Sequence, residues 1–209
     1  MKQFLTKKIS GQKDKIANFL FELAMLKRQK HNGFALAGVR ELDSLADHTA
    51  RAALIGYILA EMEGVDAGKV TLMLLIHDLP ECRIGDHHKV AARYLETAKS
   101  ERQAFVDQLK CLPKSIQTKW LKLYDEKLNR TTKEGIVAQD ADWLETALSA
   151  REFMALGQGY KGLQKWIDNV KKALETQSAK NLLDEIEHQE PYDWWKGLKK
   201  MTYKKLDKV

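Results

Sequence analysis

The stretch "LLIHDLPE", residues 74–81, decides how this chain is read. An apolar run ends in His77 and Asp78, side by side, with Pro80 and Glu81 close behind. By hydrophobicity alone, the segment from Asp66 to about Asp78 suits a buried strand. Ala, Leu and Met outnumber β-branched residues in it, however, and about 13 residues is long for a strand. Apolar nearly all round, it reads as the central helix of a helical protein. Pro80 lacks an N–H, so the helix should end or kink near His77 and Asp78.

Outward from this segment, apolar residues recur at helical spacing almost everywhere. Ile16, Phe19, Leu20, Leu23 and Leu26 mark a first helix, followed by a loop with Asn32 and Gly33. Ser44 with Asp47 resembles a capping box, so a second helix should run from there to Met62, with Gly64 as its C-terminal cap. Further helices are expected over about 96–111, over about 113–129 with Pro113 as first helical residue, and over about 132–156, where "GQGYKG" breaks the pattern. Residues 161–205 read as two or three amphipathic helices. The expected architecture is one all-α domain spanning 1–209, its core at about 15–155 and C-terminal helices at about 160–205.

Composition agrees. The 209 residues include only 12 Gly and 3 Pro, against disorder and against a turn-rich β fold. The net charge of +6 is thinly spread and densest at "KGLKKMTYKKLDK", residues 196–208. That stretch reads as a solvated terminal segment rather than a nucleic-acid or acidic-lipid contact. The longest unbroken apolar run, Leu72–Ile76, is far below the roughly 20 residues that span a bilayer. Cys82 and Cys111 lack CxxC spacing, which fits a reducing compartment. With no apolar signal core in "MKQFLTKKISGQKDK", a cytoplasmic protein is expected.

His77 and Asp78 carry the chemistry. Neighbours on a helix point about 100° apart and reach one point only near an end or kink, which Pro80 supplies. An imidazole and a carboxylate so placed suit a divalent transition metal, which needs further ligands. His48 lies one turn into the second helix, on a face otherwise made by Leu45, Ala52 and Ile55. Asp142, with Asp140 as the alternative, lies in "IVAQDADWLETALSA", where Leu144, Ala147 and Leu148 should face the core. Carboxylates in such apolar surroundings are costly unless something compensates them.

The ordered set His48, His77-Asp78, Asp142 resembles the HD-domain metal-dependent phosphohydrolases, over roughly residues 15–155. The branch that includes the bacterial 5′-deoxynucleotidases is the nearest match. "HDLPECRIGD" matches that branch's H-D-x-x-E-x-x-x-G-D pattern, "SLADHT" its S-V-A-E-H-S segment, and "DADWLETALSA" the segment carrying its last Asp. The resemblance implies that His48, His77, Asp78 and Asp142 hold a divalent metal (Mn, Co, Zn, Fe, Ni or Mg). It also implies that Glu81 is the acid/base and that Asp86 contacts substrate or positions water. The implied reaction is hydrolysis of the phosphate monoester of a nucleoside or deoxynucleoside 5′-monophosphate, and a homodimer is the implied assembly.

Two departures stand out. The branch usually has an arginine segment with a nearby Trp before the first His. Here the matching stretch is "KRQKHNGFALAGVRELD", with Phe34 at the aromatic position and His31 or Gly33 in place of the Arg. His31 either meets substrate or is a loop residue without a role. After Asp86, His87, His88 and Lys89 replace a Thr-Pro type segment, and the reading favours exposure over a place on the phosphate side of a pocket. "KSERQAF", residues 99–105, reads as a solvated helix face, and Trp194 and Trp195 as packing or dimer contacts. Two rival functions remain, a non-catalytic metal-containing module that binds nucleotide or a partner and a nucleic-acid binder. Glu81 and Asp86 argue against the first, because a purely structural site needs no further acids.

Overall fold

The computed structural model describes residues 13–159 and 162–198. The start of the chain and the basic stretch beyond residue 198 lie outside that description. The helices are α1 (residues 13–22), α2 (Leu45–Glu63), α3 (Ala67–Ile76), α4 (Glu81–Ile84), α5 (Thr97–Leu109), α6 (Lys114–Asn129), α7 (Lys133–Ala155), α8 (Leu163–Ala173) and α9 (Gln177–His188). Among the described residues extended pairing is limited to one isolated bridge, Lys30 with Ser44.

Local chemistry explains the helix ends. The Ser44 hydroxyl accepts from Asp47 N–H while the Asp47 carboxylate accepts from Ser44 N–H, so the capping box forms as expected. Gly64 closes α2 in the left-handed conformation, φ 68°. Asp66 and Thr132 cap α3 and α7 in the same side-chain manner.

Three expectations need adjusting. Asn32–Ala37 is a 3₁₀ helix rather than an open loop, because Asp86 clamps its start and Phe34 and Ala37 are buried. The first helix tightens to 3₁₀ over Leu23–Lys27, where the Met25 carbonyl accepts from both Arg28 and Gln29. Pro113 precedes its helix instead of opening it, with extended ψ of 144°.

α2, α3 and α7 pack together as the centre of the bundle, with α6 against α3 and α7, and α8 on α7. Gly56 lets α2 and α3 approach closely. A Cβ there would lie 2.1 Å from Leu74 Cδ1 and 3.1 Å from Val70 Cγ1. Removing that side chain brings the helix bearing His48 against the helix that ends in His77. Val70, Met73 and Leu74 are fully buried, as is Ala141 opposite them on α7. Each large apolar side chain so buried contributes about 1.5–3 kcal/mol. The same cluster continues into α8 and α9 through Leu163, Ile167 and Leu183.

Candidate metal centre

α3 neither stops cleanly at Pro80 nor runs through it. The chain tightens into i→i+3 turns: Leu79 N–H donates to Ile76 O, Glu81 N–H to Asp78 O and Cys82 N–H to Leu79 O. Proline fits because it supplies no N–H where none is needed. The tight turn carries His77, Asp78 and Glu81 past the end of α3 without leading the chain away from α2 and α7.

His48, 2% exposed, points into the space between these helices. Its Nδ1 lies 2.5 Å from Glu145 Oε2. His77 Nδ1–H donates to the Leu74 carbonyl at 2.6 Å. With each Nδ1 engaged by an oxygen acceptor, each imidazole can present the Nε2 lone pair to a common point. The two Nε2 atoms are 3.4 Å apart. Asp78 lies 3.1 Å from His77 Nε2 through Oδ1 and 3.6 Å from His48 Nε2 through Oδ2. Asp142 Oδ1 is 3.3 Å from His48 Nε2 and 3.8 Å from His77 Nε2.

Donor atoms about 2.1 Å from one ion and at right angles would be about 3 Å apart, so this set could close on a single divalent cation. His48, His77 and Asp78 offer donor atoms within 4.8 Å of one another. Asp142 reaches the histidines from α7 while its Oδ2 accepts from Lys127 Nζ at 2.8 Å and Gln139 Nε2 at 3.1 Å.

The electrostatics match. Burial opposes charge on His48, but Asp142 and Glu145, with Asp78 behind, outweigh it and hold its pKa well above the ordinary value. For Asp142, burial is likewise overruled by Lys127, His77 and His48, leaving the carboxyl well below its usual range. A field that holds a proton on His48 this firmly would also hold a cation.

Glu81 opens α4, and its Oε2 is buried with no hydrogen-bond partner among the described residues. Burial first, then Asp78, Asp86 and Glu101, push its pKa up to about 10. An orphaned carboxyl oxygen beside two inward imidazoles and two carboxylates is what a hydrated divalent ion would satisfy. The residues fit such a group.

Other expected residues fall elsewhere. Asp140 turns away from the cluster, and its carboxylate accepts from Glu175 N–H, Thr176 N–H and the Thr176 hydroxyl at 2.7–3.1 Å. Of the two aspartates, only Asp142 reaches the histidines. Asp86 accepts from Asn32 N–H at 2.5 Å and so ties down the segment that carries His31. The His31 ring centroid is 4.4 Å from that of His48.

Phe34 corrects an expectation. It is 2% exposed, stacked on Trp166 at 4.8 Å and set edge-on to Phe153, so it is a core residue with no access to a ligand. His87 and His88 differ from the favoured reading in being half-buried, whereas Lys89 is exposed as expected. With His31 they line a cavity of about 410 Å³ against Trp143, Thr146, Trp166 and Asn169. Glu101 is half-buried toward Asp78 and Asp86, not on a solvated face. Trp194, 71% exposed, is not a core packing residue.

Three functional-looking residues were missed. Glu145 orients His48 and is held by Arg51 Nε at 2.9 Å and Nη2 at 2.7 Å, while Arg51 Nη1 reaches Glu152 at 2.7 Å. Lys127 comes from α6, in a stretch with no distinguishing pattern. Only Glu145 left a signal, since it lies one turn after Asp142 and shares its face.

Comparison with known proteins adds the family. The model of the HD domain matches residues 23–187. A 5′-deoxynucleotidase of Bos taurus is 24% identical over 173 residues, covering 82% of this chain and 84% of the relative. One of Dictyostelium discoideum is 29% identical over 138 residues, covering 61% and 72%. Among solved structures, a conserved hypothetical protein from Pyrococcus furiosus superposes with a TM-score of 0.70 at 28% identity, covering 83% of this chain and 99% of that one. A predicted metal-dependent phosphohydrolase from Magnetospirillum magnetotacticum shares the fold, with a TM-score of 0.65 at 22% identity over 85% and 91% of the two chains. Because the matched span takes in most of the sequence and the whole cluster, the protein belongs to the HD-domain family.

Proposed function

We propose that the protein is a divalent-metal-dependent phosphohydrolase acting on the phosphate monoester of a nucleoside or deoxynucleoside 5′-monophosphate. One observation carries the reading. Two imidazole Nε2 atoms, each with its Nδ1 tied to an oxygen acceptor, meet Asp78 and Asp142 at 3.1–3.8 Å. The 5′-deoxynucleotidase names of the relatives favour a nucleotide as the ester.

In this reading His48, His77, Asp78 and Asp142 hold the ion. When bound, a divalent ion lowers the pKa of water and offsets charge on phosphoryl oxygens. The chain's own residues do the rest. Hydrolysis forms a bond from a water oxygen to phosphorus and breaks phosphorus to O5′, and O5′ must receive a proton. Glu81, set among Asp78, Asp86 and Glu101 with Oε2 unpartnered among the described residues, takes the proton that the water gives up and passes it to O5′. Asp86 holds the His31 segment in place through Asn32. Lys127 fixes the orientation of Asp142.

The metal is one of Mn, Co, Zn, Fe, Ni or Mg, all compatible with mixed imidazole and carboxylate ligands. Among the described residues no helix is long and apolar enough to cross a membrane. A cytoplasmic setting is proposed from the free Cys82 and Cys111. A homodimer is proposed as well, through the exposed strip Leu54, Ile58 and Met62 on α2, which light scattering tests.

The deciding experiment is a phosphatase screen of small phosphate esters with each metal. We expect hydrolysis of deoxynucleoside monophosphates with Co²⁺ or Mn²⁺, abolished by chelation and by Asp78→Ala. Activity that survives both changes would refute the assignment.

A further inference from the structure

The cavity beside the cluster is larger than the phosphate reaction needs. At about 410 Å³ it falls in the range of small-molecule sites. Its two sides differ chemically. One part of its lining, His31, His87, His88 and Lys89, is polar and rich in nitrogen donors, and His31 of that set stands against His48 of the cluster. Ala91 N–H donates to His88 Nδ1 at 3.1 Å, so a neutral His88 ring has Nε2 as its donor nitrogen. His87 Nδ1 is buried with no partner among the described residues. The other walls are Trp143 and Thr146 of α7 with Trp166, Asn169, Val170 and Ala173 of α8.

The α8 residues recur at i, i+3, i+4 and i+7, so a single face of that helix supplies them. Trp166 is preset. One face of its indole stacks on Phe34 at an interplanar angle of 22°, and its ring edge packs over Gly33, where a Cβ would meet it at 3.3 Å. Asn169, one turn on, has no side-chain hydrogen bond among the described residues and offers a donor and an acceptor on one head. His31 links the two regions, lining the cavity with its ring 4.4 Å from that of His48.

We propose that this cavity is a nucleobase subsite, with Trp166 as the stacking wall and Asn169 as the group that hydrogen-bonds the base edge. A flat aromatic ligand with an anionic end fits both sides at once: phosphate toward the histidines, base toward α8. Aromatic stacking accepts any base, because every base has a π-face. An amide matches the paired donors and acceptors along a base edge. A bare sugar phosphate would leave the aromatic half unfilled. The inference rests on the phosphohydrolase reading and adds that the base, and not only the phosphate, is bound.

The test compares kcat/KM for deoxyadenosine 5′-monophosphate with that for deoxyribose 5-phosphate. We expect the intact protein to favour the nucleotide by about tenfold or more. Trp166→Ala should cut that ratio about tenfold, chiefly through KM for the nucleotide. Asn169→Leu, an exposed position that leaves the core intact, should cut it about fivefold, as loss of one neutral hydrogen bond predicts. Trp194→Ala, on a different groove, should leave the ratio as it was. Equal turnover of the two esters, or a ratio unmoved by both Trp166→Ala and Asn169→Leu, would overturn the subsite. If no ester is hydrolysed, the proposed reaction fails, and calorimetric titration of the full chain with the same two compounds decides the subsite. Tighter binding of the nucleotide that weakens in Asn169→Leu supports it, and equal affinity refutes it.

Discussion

Asp140 and Asp142 sit two residues apart on α7 and do opposite things. About 200° of helical rotation separates them, so they serve different sides of the bundle. Asp140 is fully buried, and its oxygens are taken by backbone and hydroxyl donors at the turn before α9. Those donors exist only because the chain has folded, and they leave the carboxylate nothing further to bind. Asp142 instead meets side chains: two imidazoles, an ammonium and an amide. Its neighbours keep lone pairs and charge that can be given to something else. Burial of charge therefore does not mark a site. What marks it is whether the compensating partners are fixed donors or groups with capacity to spare.

The largest test of that contrast is Asp142→Ala. It should remove metal-dependent hydrolysis altogether, read as kcat/KM and as bound metal after dialysis, while the fold persists. Asp140→Ala should do the reverse. Losing a carboxylate that accepts several charge-assisted hydrogen bonds should cost about 2–3 kcal/mol in denaturant unfolding, with metal content per folded molecule unchanged. Equal loss of metal in both variants would erase the distinction.

Glu145→Gln sharpens the comparison from within the site. The change keeps the shape but removes the charge that His48 Nδ1 and Arg51 meet. Metal affinity should fall about 10- to 100-fold, measured by competition with a chelating dye. The smallest expected effect lies on the structural side. Thr176→Ala deletes the α9 cap and one of the donors to Asp140, for a loss of about 1 kcal/mol in stability and none in activity.

The pattern of what could be read follows from how far each interaction reaches. The cap of α2 was legible because Ser44 and Asp47 lie three residues apart, and local geometry fixes it. The 3₁₀ helix at Asn32–Ala37 was not, because its anchor Asp86 is remote in sequence. His48, His77 and Asp78 stood out because titratable groups interrupted apolar helical faces. Phe34 misled for the mirror reason: an aromatic residue reads the same in sequence whether it meets a ligand or, as here, supports the Trp166 that does the lining. His87, His88 and Lys89 carried no sequence sign of being drawn into a cavity, since α7 and α8 supply its other walls.

The sequence by itself determined the longer helices, the Ser44 and Gly64 caps of α2 and the order His48, His77-Asp78, Asp142, because helical periodicity and capping depend on residues a turn apart. It left open which α7 aspartate joins the histidines, what orients His48, and where Lys127 and Glu101 point. Those choices belong to the tertiary structure. They depend on the angle at which α2, α3, α6 and α7 cross and on the closeness Gly56 allows, and packing between distant segments sets both.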